Sequence, residues 1–205
     1  YGKGGLTPEV NFNKIGIKVL TGKEISRFSF NELETQWHIE TEKLNEKDIV
    51  RAKTEKVVVQ DIVAHVTKPK PHIKLIASLD ISEQFCLNTV MCFADNGTGV
   101  SNKFTLALIN SKFISFYFYF FIFNQAIRTM HFMPGYSDLI PIPKNFKEYS
   151  GDLEDLSDIM LSKNKELQQL KQQLLQLLQS KYESITYFHF NRITVCGYYT
   201  GIRPD

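Results

Sequence analysis

Beyond a Gly-rich, polar stretch over residues 1–13, apolar Ile15, Ile17 and Val19 alternate with polar neighbours. Successive strand side chains point to opposite faces, so this period predicts a half-buried strand over Ile15–Leu20. Thr21-Gly22-Lys23 turns it, and Glu24–Phe30 is a short mixed segment. The charged stretch Glu32–Lys56 accommodates a helix near Leu44–Lys53. Lys56–Val63 is a near-continuous run of Val and Ile, the pattern of a central strand buried on both faces. Further strands are predicted over Ile73–Leu79 and Cys86–Phe93, separated by a turn at Asp80–Glu83. Lys68-Pro69-Lys70-Pro71-His72 carries two prolines, which lack backbone donors, and reads as a rigid basic loop. Asn96-Gly97, within Asp95–Gly99, marks a tight turn.

The pattern then becomes uniform. A Leu-rich lead ends in Asn110-Ser111-Lys112, and Phe113–Phe123 is almost wholly aromatic and apolar. A helix crossing a bilayer needs roughly 20 apolar residues. This run stops at Lys112 on one side and at Asn124, Gln125 and Arg128 on the other, so a membrane span is excluded and a core element is expected. The lead-in Ala107–Lys112 contains no Gly or Pro, which favours a helix. Asn110 and Ser111 are expected to cap or bond backbone.

From Asp152 to Ser184 the period changes again. Leu153, Leu156, Met160, Leu167, Leu170, Leu174 and Leu177 recur at three- and four-residue spacing, with Lys163 out of pattern and Leu161, Leu175 and Leu178 widening the stripe. This heptad predicts an amphipathic helix of about 45 Å at 1.5 Å per residue. Such a helix can lie along its own domain or pair with another helix. A stripe of about four heptads exceeds what one small domain covers, which favours pairing. Thr186–Asp205 shows no period.

At 205 residues and 43% hydrophobic content, the chain holds one ordinary domain with an extension. Without an initiator Met, it is expected to be part of something larger. The net charge of +2 neither demands nor excludes nucleic acid, because binding needs a local basic patch rather than a basic total. Cys86, Cys92 and Cys196 have no metal-site spacing and read as reduced thiols of a cytosolic protein. No phosphate-cradling glycine loop, nucleophile elbow, Asp/Glu-x-Lys nuclease core or Asn/Asp-Pro-Pro-Tyr/Phe methyltransferase motif occurs. His65 reads as a hydrogen-bonded structural residue, and Asp61 and Asp80 as structural or loop-ordering carboxylates. The positive chemistry is basic and interleaved with aromatics. The candidate DNA-binding residues are Lys23, Arg27, Lys68, Lys70, Lys74, Asn102, Lys103, Arg128, His131 and Tyr136. Lys and Arg bond phosphate oxygens, and Arg also reads guanine.

Several segments occur in an order that resembles the TaqI-like C-terminal specificity domain. They are Leu20–Phe28 (LTGKEISRF), Lys56–Ile62 (KVVVQDI), Leu87–Val90 (LNTV), Leu106–Tyr117 (LALINSKFISFY) and Leu139–Pro143 (LIPIP). The resemblance covers about residues 15–145. It implies a mixed α/β (α+β) target-recognition domain with a mixed sheet over residues 1–150, a spacer helix over 151–185 and an unassigned tail over 186–205. It implies a non-catalytic module that recognises double-stranded DNA in a prokaryotic cytoplasm, with no membrane association. Methyltransferase and possible nuclease domains would lie elsewhere, with S-adenosylmethionine bound there and no cofactor in this chain. Helix-mediated self-association is a further expectation. Two other readings stand beside it: a protein–protein interaction module acting through the long helix, and an enzyme with an unrecognised site.

Overall fold

The computed structural model describes residues 15–31, 37–95, 97, 99–126 and 128–181 and the backbone of residues 2–3. In chain order the strands are β1 (Gly2–Lys3), β2 (Ile17–Leu20), β3 (Ile25–Ser26), β4 (Ser29–Phe30), β5 (His38–Ile39) and β6 (Lys56–Gln60). They continue with β7 (Ala64–Val66), β8 (His72–Lys74), β9 (Ala77–Asp80), β10 (Phe85–Cys86) and β11 (Val90–Phe93). The helices are α1 (Glu46–Lys53), α2 (Asn102–Asn110), α3 (Lys112–Tyr117), α4 (Pro134–Ser137) and α5 (Ser150–Lys181). The architecture is the expected mixture of helix and sheet, distributed over several small sheets.

β6 is central in a sheet of order β1-β11-β6-β9, and every pairing in it is antiparallel. Its Val run has a direct cause. Val57 and Val59 point with Met91, Ala77 and Leu79 into the main core, among Leu106, Ile109, Ile114, Phe118 and Phe132. Val58 points the other way, with Leu20, Ile25, Cys86 and Val90. With a core on each face, no polar position alternates along the strand. A parallel pairing occurs instead between β10 and β2, in a mixed sheet of order β10-β2-β5.

Two expected strands are each divided. Cys86–Phe93 breaks at Leu87–Thr89, where the Val90 amide turns back to the Leu87 carbonyl. β10 then pairs with β2, and β11 pairs with β6. Ile73–Leu79 splits in the same way, with β8 in a hairpin with β7 and β9 on β6. The apolar pattern is continuous, but the partner changes.

Lys56 and Asp80 face each other across β6 and β9, both buried, with Nζ 2.6 Å from Oδ2. Lys56 also donates to the Ala52 and Thr54 carbonyls, and Asp80 accepts from the Ser82 and Gln84 amides. Each charge taken out of water is thereby hydrogen-bonded, which such burial requires. Nearby, the thiols of Cys86 and Cys92 are hydrogen-bonded to each other. That bond pushes Cys86 well above the ordinary thiol range and holds Cys92 below it.

The aromatic run is helical, as expected, but only half of it is core. Asn110 pairs its side-chain amide with the backbone of Ala77 on β9, and Ser111 caps α3 through the Ile114 amide. α3 continues into a π-helical turn over Phe118–Ile122. The chain then leaves the helix through Asn124 and Gln125, at φ 47° and 56°. Ile114, Phe118, Tyr119 and Phe123 are buried, whereas Phe113, Phe116 and Phe121 are 60%, 53% and 68% exposed. A helix lays one face on a sheet, and a uniform sequence conceals which face. Among the described residues no single helix is long and apolar enough to cross a membrane. The one pair that reaches the length, α2 with the following helix, is bent by 54°.

The chain divides into compact units at Leu161 and Ser162. Within the first, the start of α5 is tied down. Glu154 accepts from the Ser101 hydroxyl, the Ser157 hydroxyl donates to the Lys103 carbonyl, and Asp158 pairs with Lys103 at 2.7 Å. The leucine stripe is covered along one edge only, at half-buried Leu153, Leu161 and Leu178 and buried Leu175. Leu156, Met160, Leu167, Leu170, Leu174 and Leu177 are exposed, and Ser157, beside Leu156, is buried. The expectation for residues 186–205 lies outside the described residues.

Candidate nucleic-acid interface

The C-terminal end of β6 is where distant segments meet. The Gln60 side-chain amide donates to the carbonyls of Gly22 (2.7 Å) and Ile25 (2.9 Å), fastening the 21–25 segment to the sheet. The Asp61 amide donates to the Thr89 carbonyl, and the Thr89 hydroxyl accepts from the Gly22 amide. A Cβ at position 22 would stand 2.9 Å from the Thr89 carbonyl oxygen, so only glycine allows this approach. Between these turns and Trp37 lies a cavity of about 590 Å³, whose lining includes Lys23, Gln60, Ile62, Ala64, Leu87 and Asn88.

The chain after β6 is held by a second segment, 70 residues away in sequence. The Phe132 amide donates to the Asp61 carbonyl, and the Val63 amide donates to the Met130 carbonyl. Phe132 and Met130 are buried in the main core. His131, between them, pairs across the backbone with Ile62 and places its Nδ1 2.6 Å from the buried Asp61 carboxylate. The Asp61 carboxylate thus has a partner that periodicity cannot connect to it.

The basic Pro-bearing loop is the tip of the β7–β8 hairpin, rooted at Ala64 on the cavity wall. Buried Ile73 and Leu75 anchor its return strand. Lys68, Lys70 and Lys74 are exposed and form no ion pair among the described residues. His65 lies within this hairpin. Its Nε2 is buried without a hydrogen-bond partner among the described residues, and its ring packs near Tyr119 at 6.1 Å.

The ten candidate residues do not all share one surface. Lys23 lines the cavity, and His131 flanks it through Ile62. Arg128 is exposed three residues before His131. Arg27 belongs to the same end of the sheet. Its neighbour Phe28 donates to the carbonyl of Ala77, the ladder partner of Val59. The Arg27 guanidinium itself donates to the Asn110 carbonyl. Tyr136 packs edge-on against Phe123 at 5.4 Å and is partly buried. Asn102 and Lys103 sit at the opposite end of β6, where Asn102 bonds Glu55 and Lys103 pairs with Asp158. The extended chain from Glu55 to Asp61 spans about 20 Å at roughly 3.4 Å per residue. The Asp158 hydrogen bond raises the Lys103 pKa. Sequence reasoning missed Trp37, Gln60 and Asn88 as cavity residues, although Gln60 and Asn88 lie in the KVVVQDI and LNTV segments.

A family model, the TaqI-like C-terminal specificity domain, matches residues 17–142, more than half of the chain. The match includes every candidate residue and both sides of the cavity. No curated protein and no solved structure matches.

Proposed function

The chain belongs to the TaqI-like C-terminal specificity domain family, which recognises DNA sequence in restriction–modification enzymes, and from that premise we propose that it is a sequence-specific double-stranded DNA recognition module. The family match over residues 17–142 is the observation that carries this reading. The exposed β7–β8 lysines, Lys23 and Arg128 around the C-terminal end of β6 support it physically, since phosphate contacts supply sequence-independent attraction. The adjacent cavity and His131 offer polar groups to base edges. In this reading the module holds the duplex while catalytic domains outside the chain methylate a target adenine extruded from the stack, and in some systems cleave. S-adenosylmethionine would be bound in those domains. The setting is a prokaryotic cytoplasm.

The test is fluorescence anisotropy with labelled duplexes, titrated between about 50 and 200 mM salt. Release of counterions from several phosphates gives a log–log slope of several units. Salt-independent binding, or no binding at the lowest salt, would falsify the reading. The exposed leucine seam of α5 supports a second role, helix-mediated association with another copy or with a catalytic subunit.

A further inference from the structure

Asp61 is 4% exposed, yet the His131 side chain it holds is 48% exposed. The ring is not free to choose its orientation. Backbone bonds from Phe132 to Asp61 and from Val63 to Met130 bracket it, and both Phe132 and Met130 are embedded in the main core. An ionised carboxylate can only accept, so the hydrogen on the ring faces Asp61 from Nδ1. In the neutral imidazole the lone pair then lies on Nε2, the other ring nitrogen. A fixed hydrogen-bond acceptor is therefore carried on a half-exposed ring whose backbone pairs with Ile62, itself a lining residue of the cavity.

We propose that His131 reads an amino group on a DNA base edge through Nε2, and that Asp61 is the positioning residue that fixes its tautomer. This deepens the DNA-recognition reading and rests on it. In the major groove adenine N6 and cytosine N4 are donors, whereas guanine O6 and N7 and thymine O4 are acceptors. A lone pair on Nε2 therefore favours adenine or cytosine on the strand it faces. A phosphate oxygen also only accepts, so it gives this atom no partner.

The experiment is selection from a randomised duplex pool by the purified chain at about pH 8, above the ordinary imidazole range. Bound sequences are compared for the unaltered chain, His131→Ala and Asp61→Asn. The unaltered chain should enrich a motif with adenine or cytosine at one position. His131→Ala, at an exposed loop residue, should weaken that preference roughly three- to tenfold and leave the other positions unchanged. In Asp61→Asn the side chain can offer either its amide or its carbonyl to Nδ1, so the tautomer is no longer fixed and the same position should lose its discrimination against guanine and thymine. A motif that is identical in all three proteins overturns this inference alone, as does guanine or thymine at the affected position in the unaltered chain. Asp61→Asn keeping the full adenine or cytosine preference overturns the role of Asp61. No enrichment by the unaltered chain, with no binding to any duplex, overturns the DNA-recognition reading itself.

Discussion

At the scale of single residues, buried charge and paired thiols decide most. Lys56 and Asp80 are complementary only while both are present. We expect Asp80→Asn to cost about 3–5 kcal/mol in urea denaturation, because it strands a buried ammonium. Replacing the pair together, as Lys56→Met with Asp80→Leu, should cost far less, since no unpaired charge remains. The two thiols make a second residue-level test. The bond between them favours the thiolate on Cys92, which is also the less buried of the two. Thiolate is the nucleophile, so iodoacetamide should label Cys92 ahead of Cys86 in mapped peptides. Equal or reversed labelling would remove the case for an asymmetric pair.

At the scale of elements, helix faces matter more than helix composition. Phe116 and Phe118 are two residues apart in one uninterrupted aromatic run, yet one is half exposed and the other fully buried. Phe118→Ala should lower stability by about 3–5 kcal/mol, and Phe116→Ala by under about 1 kcal/mol, measured by denaturant unfolding. Similar losses for both would show that the outer face is covered in solution. α5 poses the same question. Its seam of Leu156, Met160, Leu167, Leu170, Leu174 and Leu177 leaves apolar surface in water at roughly 25 cal/mol per Å². If the seam pairs with a second copy, Leu167→Lys with Leu174→Lys should convert a dimer to a monomer in sedimentation, without loss of the folded domain. A monomeric unaltered chain would remove self-association.

At the scale of the whole molecule, charge and topology act together. The net charge of +2 gives no field to speak of, but three exposed lysines share one hairpin. Replacing Lys68, Lys70 and Lys74 with Ala should weaken binding to every duplex alike. It should also flatten the log–log salt slope, by up to about 2.7 units if each lysine meets one phosphate. An unchanged slope would take the hairpin off the interface. The sequence by itself determined the mixed helix-and-strand class, the central β6, the helical aromatic run, the long α5 and the order of family segments. Each of these is local, a period or a composition within a few residues of itself. Tertiary structure was needed to bring Asp61 to His131, to put Asn102 and Lys103 at the other end of β6, and to choose which edge of the leucine stripe of α5 is covered. Those facts depend on which segments pair across long stretches of chain. A ladder register or helix rotation is set by the sum of such contacts, and no local pattern records it.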